Sequence, residues 1–482
     1  IEGLTKEQMT DEQLGAFVRW KRQMAEWHTR RKLLGTRAGR FYSATRSAFM
    51  FKDYPELFFV YFGDNRGRLY PMTYGLNPQG SDLQKSLLRF AAGCPVRTDT
   101  AQKWFLIHGA NKWGFDKATL LERERWHQDK QDLLLAIAAD PLNNTAWKDA
   151  DSPLQFLAWC FEYAEWTYDR VNFRSHLPIS MDGSCNGLQH LSALLRDEIG
   201  GRATNLTIQE AMADVYREVA GVTAELLQQM PLDEAGIVAR WRAAEIERGF
   251  VKRAVMTMPY GVTFRTAWSY VIEETLRPGL VPAFKPEEYR AAADVFMAAL
   301  WPAIGRVVVK GREAMDWLKA TARAVIKALP EDEEPIMSWV TPSGFPACQA
   351  YFEAELLSVR TRLKGESRIR VATETDEPDR SKHAAGLAPN FVHSLDAAHL
   401  HLTAYAASQR GIEALAMIHD DYGTHADRAE ELFHLIRETF VRLYEEHDPL
   451  DELAKKYPVA PPLPAKGSLD IRQVLGSAYF FS

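Results

Sequence analysis

The chain has 482 residues, 46% hydrophobic and 25% charged, with 58 Lys and Arg against 64 Asp and Glu for a net charge of −6. That length exceeds one ordinary core, so two to four subdomains are expected, and the composition excludes a largely disordered or fibrous chain. No apolar run reaches membrane-spanning length and no signal peptide stands out; the four cysteines (Cys94, Cys160, Cys185, Cys348) lack CxxC spacing, which argues against a disulfide framework and a structural zinc site and suggests a reducing cytosol.

In chain order, the first predicted element is a cationic helix. Apolar residues at three- and four-residue spacing run from Glu7 to Leu34. Between Arg19 and Arg46 lie Lys21, Arg22, Arg30, Arg31, Lys32, Arg37 and Arg40 against one acid, Glu26. Such a run is ordinarily a solvated face; interleaved with Trp20, Trp27 and Phe41 it also suits a nucleic-acid backbone. The same periodicity predicts helices over Leu154–Trp166, Leu188–Arg196, Ile208–Met230, Glu287–Leu329 and Ala426–Glu446. Strand-like pieces are short: Leu57–Phe62, Leu177–Met181, Met337–Pro342, Arg368–Thr373 and Leu415–Asp420. Few strands among many helices predict an α+β fold, mostly helical around a small antiparallel sheet. Phe345–Arg370 reads as two extended arms around "KGES", a protruding hairpin bearing Arg360, Arg362, Arg368 and Arg370. Pro/Gly-rich turns near Arg277–Pro286 and Pro458–Gly467 suit boundaries or surface loops.

Three stretches carry candidate chemistry. In "SMDGSCNGLQHLSALLRDEIGG" (Ser180–Gly201), Asp182 stands between a short apolar strand and a helix with Leu188, Leu191 and Leu195 on one face. A helix cap is one reading, although Ser184 or Asn186 could supply it; an acid leaving a strand end, with the Gly183 carbonyl turned the same way, is the other. In "ALAMIHDDYGTH" (Ala414–His425), an apolar run, a His-Asp-Asp and Tyr-Gly-Thr read as a β-hairpin with acids at its turn. Two carboxylates within about 4 Å repel by roughly 4 kcal/mol at an effective dielectric near 20. A divalent cation removes that penalty, and oxygen ligands favour Mg²⁺. In "ERGFVKRAVMTMPYG" (Glu247–Gly261), Arg248, Lys252, Met256 and Tyr260 recur every four residues and form a slowly turning helical stripe. Its cations suit a triphosphate and its ring a base or sugar; a basic amphipathic helix explains only the cations. Pro259 is expected to end or kink that helix before Tyr260.

"DGSCNGLQH", "RGFVKRAVMTMPYG" and "HDDYG" resemble, in order, motifs A, B and C of the single-subunit DNA-dependent RNA polymerases, the phage and mitochondrial enzymes with a right-hand fold. "DNRGRLYP", "NPQGSDLQKSLL", "IHGAN", "DSPLQFLAWCFEYA", "RDEIGGRATNL", "WVTPSGFP", "APNFVHSLD" and "LPAKGSLDIRQVL" are similar to family segments in the same order, so the resemblance runs from about Phe58 to Ser482. It implies a thumb remnant over 1–54, palm over 55–198, fingers over 199–393 with a specificity-type hairpin near 345–371, and a second palm segment over 394–482. Asp182 and Asp420 then match the metal-binding catalytic aspartates, with the Gly183 carbonyl as a further ligand and two Mg²⁺ ions as cofactors. Asp421 takes no metal role in this carry-over. Lys252 matches the lysine that contacts the triphosphate and protonates pyrophosphate, and Arg248 its phosphate-binding companion. Tyr260 matches the tyrosine that helps to reject deoxyribose, and His393 the histidine that senses the ribose 2′-hydroxyl. Tyr216 and Arg68 match positions near substrate and the RNA–DNA hybrid, with core packing the alternative for Tyr216 and a structural ion pair for Arg68.

The implied function is DNA-templated RNA synthesis from NTPs, with DNA template and RNA transcript as partners and no membrane. The implied setting is the cytoplasm of an infected bacterium or the virion, ahead of a mitochondrion. The chain opens on Ile1, and the family's large amino-terminal domain has no counterpart here, so a catalytic fragment, or a separate chain supplying those functions, is expected. The hairpin looks shorter and more polar than in well-known members. Two rivals stand beside this reading. A family-A DNA polymerase usually has an acid soon after the motif A aspartate and a phenylalanine midway along the stripe; here stand Gly183-Ser184-Cys185-Asn186-Gly187 and Met256. The other is a non-catalytic nucleic-acid-binding subunit that retains the fold.

Overall fold

The structure, a computed structural model, describes residues 5–281, 283–330, 333–362 and 367–482. At its centre is a three-stranded antiparallel sheet in which Asp421–Thr424 lies between Ala416–Ile418 and Ile179–Asp182. The register sets Asp421 opposite Asp182, Tyr422 opposite Met181 and Thr424 opposite Ile179. Period-two alternation explains the packing: Ile179 and Met181 are buried in the core while Ser180 and Asp182 point the other way. Aromatic side chains support the sheet from Asp99–Trp113 and Pro153–Tyr168, where Trp104, Phe105, Phe156, Trp159 and Trp166 are buried and the Trp159 indole donates to the Phe105 carbonyl at 2.9 Å. The carboxyl-terminal segment closes the sheet's edge: Phe481 bridges to Gly183, and Ser482 N–H donates to the Asp182 carbonyl at 3.2 Å. Arg437, fully buried in helix Ala429–Glu446, holds that segment by donating to the carbonyls of Ser477 (2.9 Å) and Phe481 (3.0 Å).

The mostly helical expectation with small antiparallel sheets holds, and several boundaries move. The first helix runs from Asp11 to Phe51, well past Leu34, with Thr10 and Gln13 forming its capping box. The predicted helix over Ile208–Met230 begins only at Val215, because the Asp214 carboxylate accepts from Tyr216 and Arg217 N–H and caps it there. Upstream, the Asn205 amide bonds the Ala213 backbone in both directions and holds the chain out of helix. Glu287–Leu329 is two helices, Tyr289–Val307 and Val309–Ala328, bent by 97° at Val308. Among the described residues no single helix is long and apolar enough to cross a membrane. Leu57–Phe62 is a strand only at Tyr61–Gly63, where Leu69–Pro71 pairs with it. The long helix Arg380–Gln409 carries no predicted counterpart, since Pro389 interrupts its pattern.

The extended segment is also corrected. Pro346–Ala350 pairs back onto Ile336–Val340, and the protruding hairpin is Phe352–Thr361 with Ser367–Pro378, so it starts later and ends later than Phe345–Arg370. Its tip, Lys364 to Glu366 of "KGES", lies outside the described residues. Arg360 is opposite Arg368 and Ser358 opposite Arg370, which puts three arginines on one face; Leu357, Val359, Ile369 and Val371 share the other and are exposed.

Candidate active site

The strand Ile179–Asp182 delivers its acid at the edge of an open cleft. Gly183 N–H donates to the Asp420 carbonyl at 3.1 Å, and Cys185, at φ 67°, turns the chain into helix Asn186–Leu194. No side chain caps that helix, and the Ser184 hydroxyl donates to the Tyr479 carbonyl at 2.9 Å. The capping reading of Asp182 therefore falls. Asp420 arrives through a two-residue loop, His419-Asp420, between the paired residues Ile418 and Asp421. His419 sits at φ 54°, a conformation that costs a non-glycine residue about 1–2 kcal/mol and that tight hairpin turns require.

Asp182, Gly183 and Asp420 share a cleft of about 460 Å³ with Tyr216, Arg248, Lys252, Met256 and Tyr260. The four-residue stripe forms one wall: helix Arg248–Thr257 presents Arg248, Lys252 and Met256, then Pro259 ends it in a short turn, Met258–Tyr260, closed by Gly261 at φ 77°. Lys252 is exposed and has no ion-pair partner among the described residues. Arg248 donates to Asp214 at 2.6 Å while its guanidinium lies 4.7 Å from the Tyr216 ring centre. Gly187 allows the opposite wall to approach: a Cβ there would meet the Tyr260 hydroxyl and Pro259 at 2.9 Å.

Water reaches the Asp182 carboxylate, yet protein surrounds the cleft floor on every side, and this burial, with Asp420 and Asp421 adding to it, pushes its pKa well above the usual range. Burial likewise raises Asp420, with Asp421 adding and Arg68 opposing. Such crowded oxygens fit a hard cation: one Asp421 carboxylate oxygen is buried without a partner among the described residues, and Gly183 lines the cleft beside Asp182 and Asp420 while its carbonyl accepts from Cys185 N–H at 2.8 Å.

His393 and Arg68 stand behind the cleft wall. The His393 ring stacks on Tyr260 with centres 4.4 Å apart and planes at 23°. Burial, then the Arg68 and Arg66 cations, push its pKa down to about 2, so the ring is neutral. Arg66 Nη1 donates to Nδ1 at 2.8 Å, which leaves the proton on Nε2. Arg68 is bound to fully buried Asp396 through two contacts, one of 3.0 Å, so it is the structural ion pair allowed for in the sequence. Tyr216, half-buried, lines the cleft as well as packing on the core.

A model of the DNA-dependent RNA polymerase family matches residues 97–460. The chain belongs to that family. It is 34% identical to the DNA-directed RNA polymerase of Enterobacteria phage K11 and to T7 RNA polymerase of Escherichia phage T7, over 96% and 97% of this chain but 56% and 58% of those proteins. It is also 34% identical over 89% of its length to a chloroplastic/mitochondrial DNA-directed RNA polymerase of Nicotiana tabacum, 42% of which is covered. The chain thus spans little more than half of the phage relatives' length.

Several residues of this polymerase-family site carry no signal in the periodicity. Lys112 is enclosed beside Asp182 and Asp421, donates to Ser180 Oγ at 3.1 Å, and has its pKa lowered by burial against the pull of both acids. Asp116, Lys117 and Asp151 also line the cleft. The Asn186 amide, also at the cleft, is buried with neither polar atom hydrogen-bonded. Arg66 and Asp396 matter through what they hold, His393 and Arg68. Lys112, Asp116, Lys117 and Asp151 come from parts of the chain far in sequence from the three stretches, which spacing cannot reveal.

Proposed function

We propose that the chain is the catalytic part of a DNA-templated RNA polymerase that transfers nucleotides from NTPs to an RNA 3′ end. One observation carries this: Asp182 and Asp420, 238 residues apart, meet on the floor of one cleft faced by Lys252 and Arg248. In this reading the central sheet is the palm of a right-hand fold, residues 199–393 the fingers, 1–54 a thumb remnant, and the arginine-bearing hairpin a promoter-contacting loop. Asp182, Asp420 and the Gly183 carbonyl would hold two Mg²⁺ ions, which supply Lewis-acid activation of the 3′-hydroxyl and neutralise the triphosphate.

The chain's own groups do the rest. Lys252, water-exposed and without an ion-pair partner among the described residues, is free to bind the triphosphate and to hand a proton to the departing pyrophosphate. Arg248, fixed by Asp214, orients phosphate with less conformational freedom to lose. Tyr260, held flat on His393, covers the sugar position, and the Nε2–H of His393 is the donor that distinguishes a 2′-hydroxyl. DNA template, RNA transcript and NTPs are the partners, and the cytoplasm of an infected bacterium or the virion is the setting. The test is extension of an RNA primer on a DNA template by the purified chain. Mg²⁺-dependent addition of NTPs over dNTPs is expected, and binding without extension, or a preference for dNTPs, would overturn the proposal.

A further inference from the structure

A second cluster lies at the far end of the catalytic strand. Residue His425 follows Thr424 directly, so it stands about 13 Å along the strand from Asp421. There Cys94, His425 and Asp427 each offer a ligand atom, all within 4.8 Å of one another. We propose that these three residues bind one divalent transition-metal ion of the Zn²⁺ type, separate from the catalytic pair.

The donor set is sulfur, nitrogen and oxygen, which favours Zn²⁺ and its neighbours over Mg²⁺ or Ca²⁺. A tetrahedral Zn²⁺ site spaces its ligands by roughly 3.5 Å, so closure requires only a small inward movement of side chains. The imidazole Nε2–H donates to the Ala92 carbonyl at 2.9 Å, which fixes the tautomer and leaves Nδ1 as the nitrogen that can ligate. Phe90 packs edge-on against the same ring at 4.6 Å and fixes its plane. Cys94 is buried, and the backbone N–H groups of Ala426 and Asp427 face its sulfur; burial, with the Asp427 carboxylate adding to it, pushes the free thiol up to about 11, so binding has to displace that proton to solvent. Asp427 is exposed, so a water-filled fourth position and a path for entry are both open.

The ligands come from two sheets: Cys94 belongs to Cys94–Pro95, paired with Arg174–Ser175 just before the Asp182 strand, and His425 directly follows the strand Asp421–Thr424 of the central sheet. A metal there would pin the bases of the two strands that carry the catalytic acids. The site is structural, and the lack of CxxC spacing did not exclude it, because Cys94 and His425 are 331 residues apart and meet only in the folded chain.

The test uses Co²⁺ and Zn²⁺ alone, after EDTA treatment and its removal. Co²⁺ is expected to produce a near-ultraviolet thiolate charge-transfer band at one equivalent, also in an Asp182→Asn/Asp420→Asn double variant. Zn²⁺ should displace the band and raise the melting temperature. Cys94→Ser should abolish the band, and Asp427→Ala, at an exposed position that leaves the core intact, should weaken binding roughly tenfold or more. Should Cys94→Ser not fold, His425→Ala serves in its place. Absence of a band at excess Co²⁺, or a band unchanged in Asp427→Ala and His425→Ala, overturns the proposal. Neither outcome depends on polymerase activity, so this site can fail while the catalytic reading stands.

Discussion

The crowding of three carboxylates at one strand end has a consequence for stability that differs in sign from its consequence for activity. Asp182 and Asp421 are directly opposed, and Asp420 is next to them in the turn. Opposed Cβ atoms lie about 5 Å apart, so charges near 6 Å repel by about 3 kcal/mol per pair at an effective dielectric of 20. Water access at Asp182 reduces this by about half, to roughly 1–2 kcal/mol. Asp182→Asn removes the charge and keeps the shape. In EDTA the variant is therefore expected to melt about 1–2 °C above the wild type, read by tryptophan fluorescence. Added Mg²⁺ should raise the wild type and leave the variant nearly unmoved, while primer extension falls roughly a thousandfold or more. Melting at or below the wild type in EDTA would refute the repulsion argument, and wild-type extension rates would refute the metal assignment.

Lys252→Ala should lower kcat for nucleotide addition by about 10²–10³ without shifting the melting temperature, since its ammonium makes no ion pair among the described residues; a stability change with normal kcat would show a structural lysine instead. Tyr260→Phe should loosen NTP/dNTP selection with modest loss of rate, and Gly187→Ala, whose Cβ would press the Tyr260 hydroxyl at 2.9 Å, should do the same through displacement of the ring; unchanged selection in both would remove Tyr260 from ribose discrimination. Asp396 is pushed up by burial, against the pull of Arg68, to about 7, above its unfolded 3.8. Because the folded form holds the proton more tightly, this contribution is present in full below about pH 4 and is lost as pH rises through 7, up to about 4 kcal/mol. Denaturant melts across that window should slope downward, and Asp396→Asn should flatten them; identical slopes would contradict the assignment.

Local chemistry was legible wherever a short stretch acts alone. The apolar run before Asp182, the turn acids after Ile418, and the proline that stops the stripe before Tyr260 all lie where alternation, turn chemistry and the missing proline N–H put them. Boundaries were less legible where a tertiary partner decides them. Asn205 holds residues near Ala213 out of helix, a kink at Val308 divides one helical pattern in two, and Leu57–Val60 lacks a partner strand.

Of the site, the sequence by itself determined which residue types are present, their order, and the family they belong to. Only the tertiary structure decided their roles at close range: that Asp182 shares a cleft with Asp420 rather than capping a helix, that Arg68 is committed to Asp396, that Arg66 sets the tautomer of His393, and that Cys94 meets His425. The reason is physical. Secondary structure follows from interactions a few residues apart, whereas a charge's pKa, a ring's tautomer and a metal's ligand set depend on neighbours within a few ångströms, whatever their separation along the chain.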